Sequence, residues 1–260
     1  MMLSKAKSLL WYMGRPALWP QLGRAAGNLL FHGREPDTSS EALAWCGKHA
    51  VSTKDALSRI LGEQPRETAE ALHPEDFARA RAIESACPVV MGGPGDLDLL
   101  YYFVKESGAM RAVETGVAYG WSSLTILLAM EGREGARLVS TDMPYVQASN
   151  DAFVGCVVHR PELRRMWRLI RLPDRDALPR ALRDLETIDL CHYDSDKSYR
   201  GRMWAYPLLW SRLRPGGIFL TDDIQDNLAF RDFSHAVGAA PLVVRVSNER
   251  HTKYVGVLQR

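Results

Sequence analysis

The sequence predicts an α/β protein: a doubly wound, mostly parallel, seven-stranded sheet preceded by a helical extension. Three observations carry this. From residue 89 onward, short apolar runs alternate with helical segments, the order expected of strand–helix–strand units. Residues 111–123 (RAVETGVAYGWSS) read as the end of a buried strand, a glycine turn and a helix start. Five candidate strands each end on a carboxylate, which chance would seldom arrange in a chain with 31 acidic residues.

Strands are expected at 110–115, 137–142, 167–172, 187–193, 217–222, 241–247 and 253–259. Helices are expected near 95–107, 121–131, 147–156, 176–185, 199–212 and 226–237; the first carries Leu97, Leu99, Leu100 and Phe103. The last two strands are separated only by Asn248-Glu249-Arg250. That link is too short for a parallel crossover, which takes about a dozen residues, so the pair is an antiparallel hairpin. Residues 36–86 read as several short helices. Ser39-Ser40-Glu41 and Thr53-Lys54-Asp55 are helix starts, and Pro65 and Pro74 interrupt the segment. The division is therefore a helical extension or lid over 1–88 and the α/β domain over 89–260.

Composition narrows the function classes. With 46% apolar and 25% charged residues the chain is an ordinary globular protein. A net charge of +2 speaks against general nucleic-acid binding. No apolar run approaches the roughly 18 residues of a membrane span. Cys46, Cys87, Cys156 and Cys191 lack metal-type spacing and read as reduced packing residues, which suits a cytoplasmic protein. Residues 1–34 hold Lys5, Lys7, Arg15, Arg24 and Arg34, no acidic residue, and Trp11, Trp19 and several leucines between them. The favoured reading is an arm packed on the domain or on a second subunit of a homodimer. The other is peripheral contact with an anionic membrane surface.

Ligands of such sheets sit beyond the carboxyl ends of the strands, where Glu114, Asp142, Asp174, Asp194, Asp222 and Asp223 fall. Gly116 and Gly120 let a ligand approach the turn closely. The spacing Glu114-x-Gly116-x-x-x-Gly120-x-Ser122 is not that of a dinucleotide fold. A carboxylate at the strand end repels a pyrophosphate and suits an amino-acid ammonium, favouring S-adenosylmethionine (SAM) over NAD. Asp142 suits a ribose, or else caps a helix before Pro144. Asp194, Asp222 and Asp223 crowd neighbouring strand ends and repel unless a cation intervenes, and a hard divalent ion such as Mg2+ suits them. Asp196 is one residue off that alternation. Lys197, beside the proposed metal and partly buried, is expected to lose its proton readily and act as the base. His192 lies within a strand and reads as a core or supporting residue.

Taken together, these residues resemble the class I SAM-dependent methyltransferases, specifically the metal-dependent O-methyltransferases of catechol-type and bacterial small-molecule branches. The resemblance covers roughly 89–260. Glu114-x-Gly116-x-x-x-Gly120-x-Ser122 is similar to their first motif and Asp142-Met143 to the acidic second one. Leu213-Arg214-Pro215-Gly216-Gly217 is similar to their strand-leading turn. His192 to Tyr199 resembles the metal-and-base segment, Asp222-Asp223 the second metal segment, and Met91-Gly92 the loop that closes over SAM. Lys197 agrees with the catechol-type branch, whereas Asp223 stands where that branch has Asn.

The resemblance implies a Rossmann-like methyltransferase fold. SAM would be bound by Met91, Gly92, Glu114, Gly116, Gly120, Ser122, Asp142, Asp174 and Asp194, Mg2+ by Asp194, Asp222 and Asp223, with Lys197 and Asp194 catalytic. The methyl would pass to a hydroxyl with a neighbouring oxygen, on a natural product, a sugar or glycolipid, or a catechol-like phenol. An amine acceptor lacks its Asn/Asp-Pro-Pro-Tyr motif. An RNA acceptor is disfavoured by charge, the run Arg164, Arg165, Arg168 and Arg171 reading as one solvated helix face. The rivals are an NAD-dependent oxidoreductase and a catalytically silent SAM-binding scaffold.

Overall fold

The structure, a computed structural model, describes residues 11–12, 14–33, 35–62, 65–145, 148–247 and 252–260. Eight strands form one sheet: β1 (Ala50–Val51), β2 (Arg111–Thr115), β3 (Arg137–Thr141), β4 (Trp167–Ile170), β5 (Ile188–Tyr193), β6 (Leu213–Thr221), β7 (Leu242–Ser247) and β8 (Thr252–Gln259). Their order is β1-β7-β8-β6-β5-β2-β3-β4. Pairing is parallel except for β8, which runs antiparallel to both β6 and β7.

The apolar runs make sense as strands because both faces of the sheet are covered. On one face Ala112, Leu138, Leu190, Leu220 and Val257 join a common core with α6 (Leu97–Glu106) and α7 (Trp121–Met130). Their chain neighbours Val113, Val139, Cys191, Phe219 and Leu258 join the other face, covered by α10 (Asp174–Leu185), α11 (Tyr199–Arg212) and α12 (Ala229–Ala236). The strand period of two thus splits one set of sequences between two cores.

The extension contributes α1 (Trp19–His32), α2 (Ser39–His49), α3 (Thr53–Leu61), α4 (Ala69–Leu72) and α5 (Pro74–Ser85). Ser52 caps α3 by accepting from Asp55 N–H, and Thr68 caps α4 by accepting from Ala71 N–H. Leu57 and Phe77 pack in the first core and Cys46 in the second, so these helices share the cores of the sheet. No helix among the described residues is long and apolar enough to cross a membrane. Of the basic N-terminal residues, Lys5, Lys7 and Arg34 lie outside the described ones.

The sheet has eight strands rather than seven. Ala50–Val51 pairs with β7 through Ala50↔Val243, and two residues are too few to show an alternation within a helical stretch. Of the helix expected at 147–156 the described residues show α8 (Ala148–Asp151), followed by turns in which Gly155 takes φ +71°. The basic run is not one helix face. Arg164 and Arg165 end α9 (Pro161–Arg165), Arg168 lies on β4 and Arg171 follows it.

Candidate active site

At the carboxyl ends of the parallel strands lies a cavity of about 1060 Å³. Gly92, Gly116, Ser122, Asp142, Asp174, Asp194, Lys197, Asp222 and Asp223 all line it. Gly116 closes β2 at φ +77°, and a Cβ there would stand 2.1 Å from the carbonyl oxygen of Asp194. The β2 and β5 ends therefore meet backbone to backbone, with Asp194 N–H donating to Thr115 O (2.9 Å), while Gly116 N–H donates to Thr141 O at the end of β3 (2.8 Å).

Three predicted cofactor contacts lie elsewhere. Glu114 is fully buried beneath the turn and accepts from the Ser123 and Ser140 hydroxyls (2.5 and 2.6 Å). It braces the strand–turn–helix unit from below and is not among the residues lining the cavity, while its Oε1 has no hydrogen-bond partner among the described residues. Gly120 is the N-cap of α7 at φ +96°, and a Cβ there would meet Gly155 Cα at 2.9 Å. Its lack of a side chain serves chain–chain packing. Met91 is set back from the cavity, its N–H donating to Tyr119 Oη (3.2 Å). The loop still reaches the cavity through Gly92, Gly93 and Gly95.

Asp142 is held by Arg171, whose Nη1 donates to it at 2.7 Å. Burial pushes its carboxyl up to about 6, although Arg171 pulls the other way. Arg171 also pairs with Asp151, which accepts from Tyr145 N–H (2.8 Å). Asp174 accepts from Ser195 Oγ (2.5 Å) and Tyr193 Oη (3.3 Å), and burial raises its pKa.

On the other side, Lys197 Nζ donates to Asp194 and to Asp223 Oδ2, the latter at 2.7 Å. Asp222 Oδ1 lies 3.3 Å from His192 Nε2, and His192 Nδ1 lies 3.7 Å from Glu114 Oε1. Burial would lower the His192 pKa, but the flanking Asp222 and Glu114 carboxylates outweigh it and raise it to about 10. The two acids thus favour the protonated ring, and His192 lines the cavity. Its strand position hid this, because a sequence does not show which neighbouring strands supply partners.

The expectation for Lys197 needs correction. Burial alone would lower its pKa, yet Asp194 and Asp223 surround it with negative charge and hold it well above the usual lysine value. As arranged it keeps its proton. Asp194, pushed up to about 6 by burial and then by Asp222, is the group of the two that takes a proton near neutral pH. The Mg2+ expectation is also modified. Among the described residues no group of three or more His, Cys, Asp or Glu is arranged to hold a metal ion. The cation between Asp194 and Asp223 is the Lys197 ammonium. The donor chemistry, three hard carboxylates on adjacent strand ends, still suits a divalent ion that displaces it.

Sequence reasoning did not assign the wall supplied by the extension. Gln21, Arg24, Gly33 and Glu35 line the cavity. Arg24 pairs with Asp176 on α10. Glu35 accepts from the Tyr199 and Arg200 N–H groups (both 2.9 Å), which caps α11. No local signal marks Glu35 as the cap of a helix more than 160 residues away.

Residues 113–224 match the family of methyltransferase domains. No curated protein matches the chain. An O-methyltransferase from Bacillus cereus in complex with S-adenosylhomocysteine (SAH) superposes with a TM-score of 0.57 at 14% identity, over 83% of this chain and 100% of that one. An O-methyltransferase of tomaymycin synthesis from Streptomyces achromogenes, in complex with SAM, gives 0.54 at 16%, over 71% and 89%. A putative O-methyltransferase from Klebsiella pneumoniae gives 0.54 at 12%, over 83% and 98%. At these identities the likeness establishes the fold, the Rossmann-like α/β fold of those proteins, and the family match covers residues 113–224 of this chain.

Proposed function

We propose that this chain, with its methyltransferase domain at 113–224, is a SAM-dependent O-methyltransferase acting on a small molecule that offers a hydroxyl beside a second oxygen. The observation that carries it is the joining, in one cavity, of the Gly116 turn with the Asp194, Lys197, Asp222 and Asp223 cluster. The SAM and SAH present in the neighbours from Streptomyces achromogenes and Bacillus cereus support the cofactor. The reaction is a methyl shift from sulfonium to oxygen, so the hydroxyl must lose a proton and its oxygen must be held in line.

The Gly116 turn, Asp142 and Asp174 form the cofactor side. On the acceptor side Asp194 takes the hydroxyl proton while the Lys197 ammonium faces the developing oxyanion. Mg2+, where bound, would be held by Asp194, Asp222 and Asp223, and would act as a Lewis acid on the acceptor oxygens. The extension adds Arg24 and Glu35 to the wall of the cavity. A catechol-like phenol, a sugar or glycolipid and a natural product with vicinal oxygens are all acceptors of this type.

Calorimetric titration with SAH, with NADH as control, tests the cofactor. The expected result is SAH binding and no NADH binding; the reverse refutes the reading. Methyl transfer from labelled SAM to 3,4-dihydroxybenzoate, with EDTA and then excess Mg2+, tests the metal. Activity abolished by EDTA and restored by Mg2+ supports it, and full activity in EDTA discards it while keeping the methyltransferase.

A further inference from the structure

Arg202, on α11, lies one turn beyond the helix N-cap Ser198, which accepts from Gly201 N–H (3.0 Å). It is fully buried. Its Nη2 donates to the backbone carbonyls of both Asp222 (3.1 Å) and Asp223 (2.9 Å). Its Nε and Nη1 have no hydrogen-bond partner among the described residues, and the nearest carboxylate is Asp226, 3.8 Å from Nη2. A guanidinium buried with so little compensation is costly, and a neutral side chain would fill the same space more cheaply. What it accomplishes is visible in the turn it grips.

Asp223 is a non-glycine residue in the left-handed region, at φ 54° and ψ 39°. This conformation is disfavoured for an L-residue with a side chain. It sends consecutive side chains apart: Asp222 reaches His192 at 3.3 Å, and Asp223 reaches Lys197 at 2.7 Å. The two carbonyls meanwhile converge on a single guanidinium nitrogen. Asp223 O also accepts from Asp226 N–H (3.1 Å) and Asp222 N–H donates to Tyr193 O (3.0 Å), but among the described hydrogen bonds only Arg202 ties the two carbonyls to each other.

We propose that Arg202 is a positioning residue: it holds the Asp222–Asp223 turn in its left-handed form and thereby places both carboxylates on the acceptor side of the cavity. This rests on the proposed O-methyltransferase reading for its catalytic consequence, but not for its geometry. Arg202 is not among the residues that line the cavity. Its effect therefore falls on turnover and spares cofactor binding, which uses the Gly116 side.

The test compares Arg202→Met and Arg202→Lys by crystallography with SAH, by SAH calorimetry and by turnover of 3,4-dihydroxybenzoate. Arg202→Met is expected to bind SAH within a factor of about two of the parent. Asp223 leaves the left-handed region, and turnover at saturating SAM falls on the order of 10²-fold. Arg202→Lys, whose ammonium still reaches both carbonyls, keeps the turn and regains turnover. An Arg202→Met structure with Asp223 still left-handed and still on Lys197 overturns the proposal. So does a loss of SAH affinity equal to the loss of turnover, the mark of a merely structural role. Should Arg202→Met not fold, Arg202→Lys decides: a relaxed turn with parental turnover refutes the proposal. Failure of the parent protein to bind SAH would instead refute the functional reading, leaving the crystallographic comparison to judge Arg202.

Discussion

Replacing Gly116 by Ala places a methyl group where the β2 and β5 ends touch. The new Cβ would stand 2.1 Å from Asp194 O and 2.7 Å from its carbonyl carbon, and both are backbone atoms that cannot rotate away. The left-handed φ of +77° adds roughly 1–2 kcal/mol for any L-residue with a side chain. Overpacking against fixed atoms adds about 1–3 kcal/mol. Gly132→Ala separates the two effects, because Gly132 has φ +79° and nothing within 4 Å of an added Cβ. The control carries only the backbone cost. The excess for Gly116→Ala is thus about 1–3 kcal/mol, or roughly 2–12 °C of Tm in a chain of this size. Because relief requires moving Asp194 away from the cavity floor, SAH affinity should fall by about tenfold or more, corresponding to about 1.4 kcal/mol. Differential scanning calorimetry and SAH titration of both variants measure this. Equal melting temperatures for the two, with SAH binding unchanged in Gly116→Ala, would show that the backbone contact does not shape the site.

Lys197→Ala, which removes the ammonium facing the oxyanion, should lower turnover by about 10²–10³-fold with SAH binding retained; near-normal turnover with 3,4-dihydroxybenzoate removes Lys197 from the chemistry. His192 gives a pH dependence. Its folded pKa of about 10 lies above the ordinary histidine value of 6.5, so its contribution to stability is complete below about pH 6.5 and is lost as pH rises toward 10. Asp222→Asn removes the carboxylate that most strongly opposes burial, so the variant's Tm should fall less steeply than the parent's between those pH values. Parallel Tm–pH curves would contradict the clamp.

How much was legible depends on which interactions are local. Apolar runs such as Ala112–Val113 and Leu138–Val139 are legible because a doubly covered strand needs them on both faces. Gly116 was legible from its place between a strand and a helix, although the Asp194 carbonyl that excludes a side chain there comes from a distant strand end. Glu114, Gly120 and Lys197 show the limit. All three stand at the right place along the chain, but burial or partners from distant segments change what they do. Glu114 is claimed by Ser123 and Ser140, Gly120 by Gly155, and Lys197 by Asp194 and Asp223 together.

The amino-acid order by itself determined the strand–helix alternation, the hairpin at the end and the gathering of carboxylates at one sheet edge. These follow from periodicity, turn length and the parallel crossover rule, all local or topological. The tertiary structure alone decided the charge state of that edge. Whether a lysine is a base or a clamped cation depends on carboxylates 3 and 26 residues away. Likewise, Arg202 and Glu35 acquire their roles by reaching the backbone of segments 20 and 164 residues distant. Coulomb and desolvation energies depend on distances in space, which a sequence specifies only after it has folded.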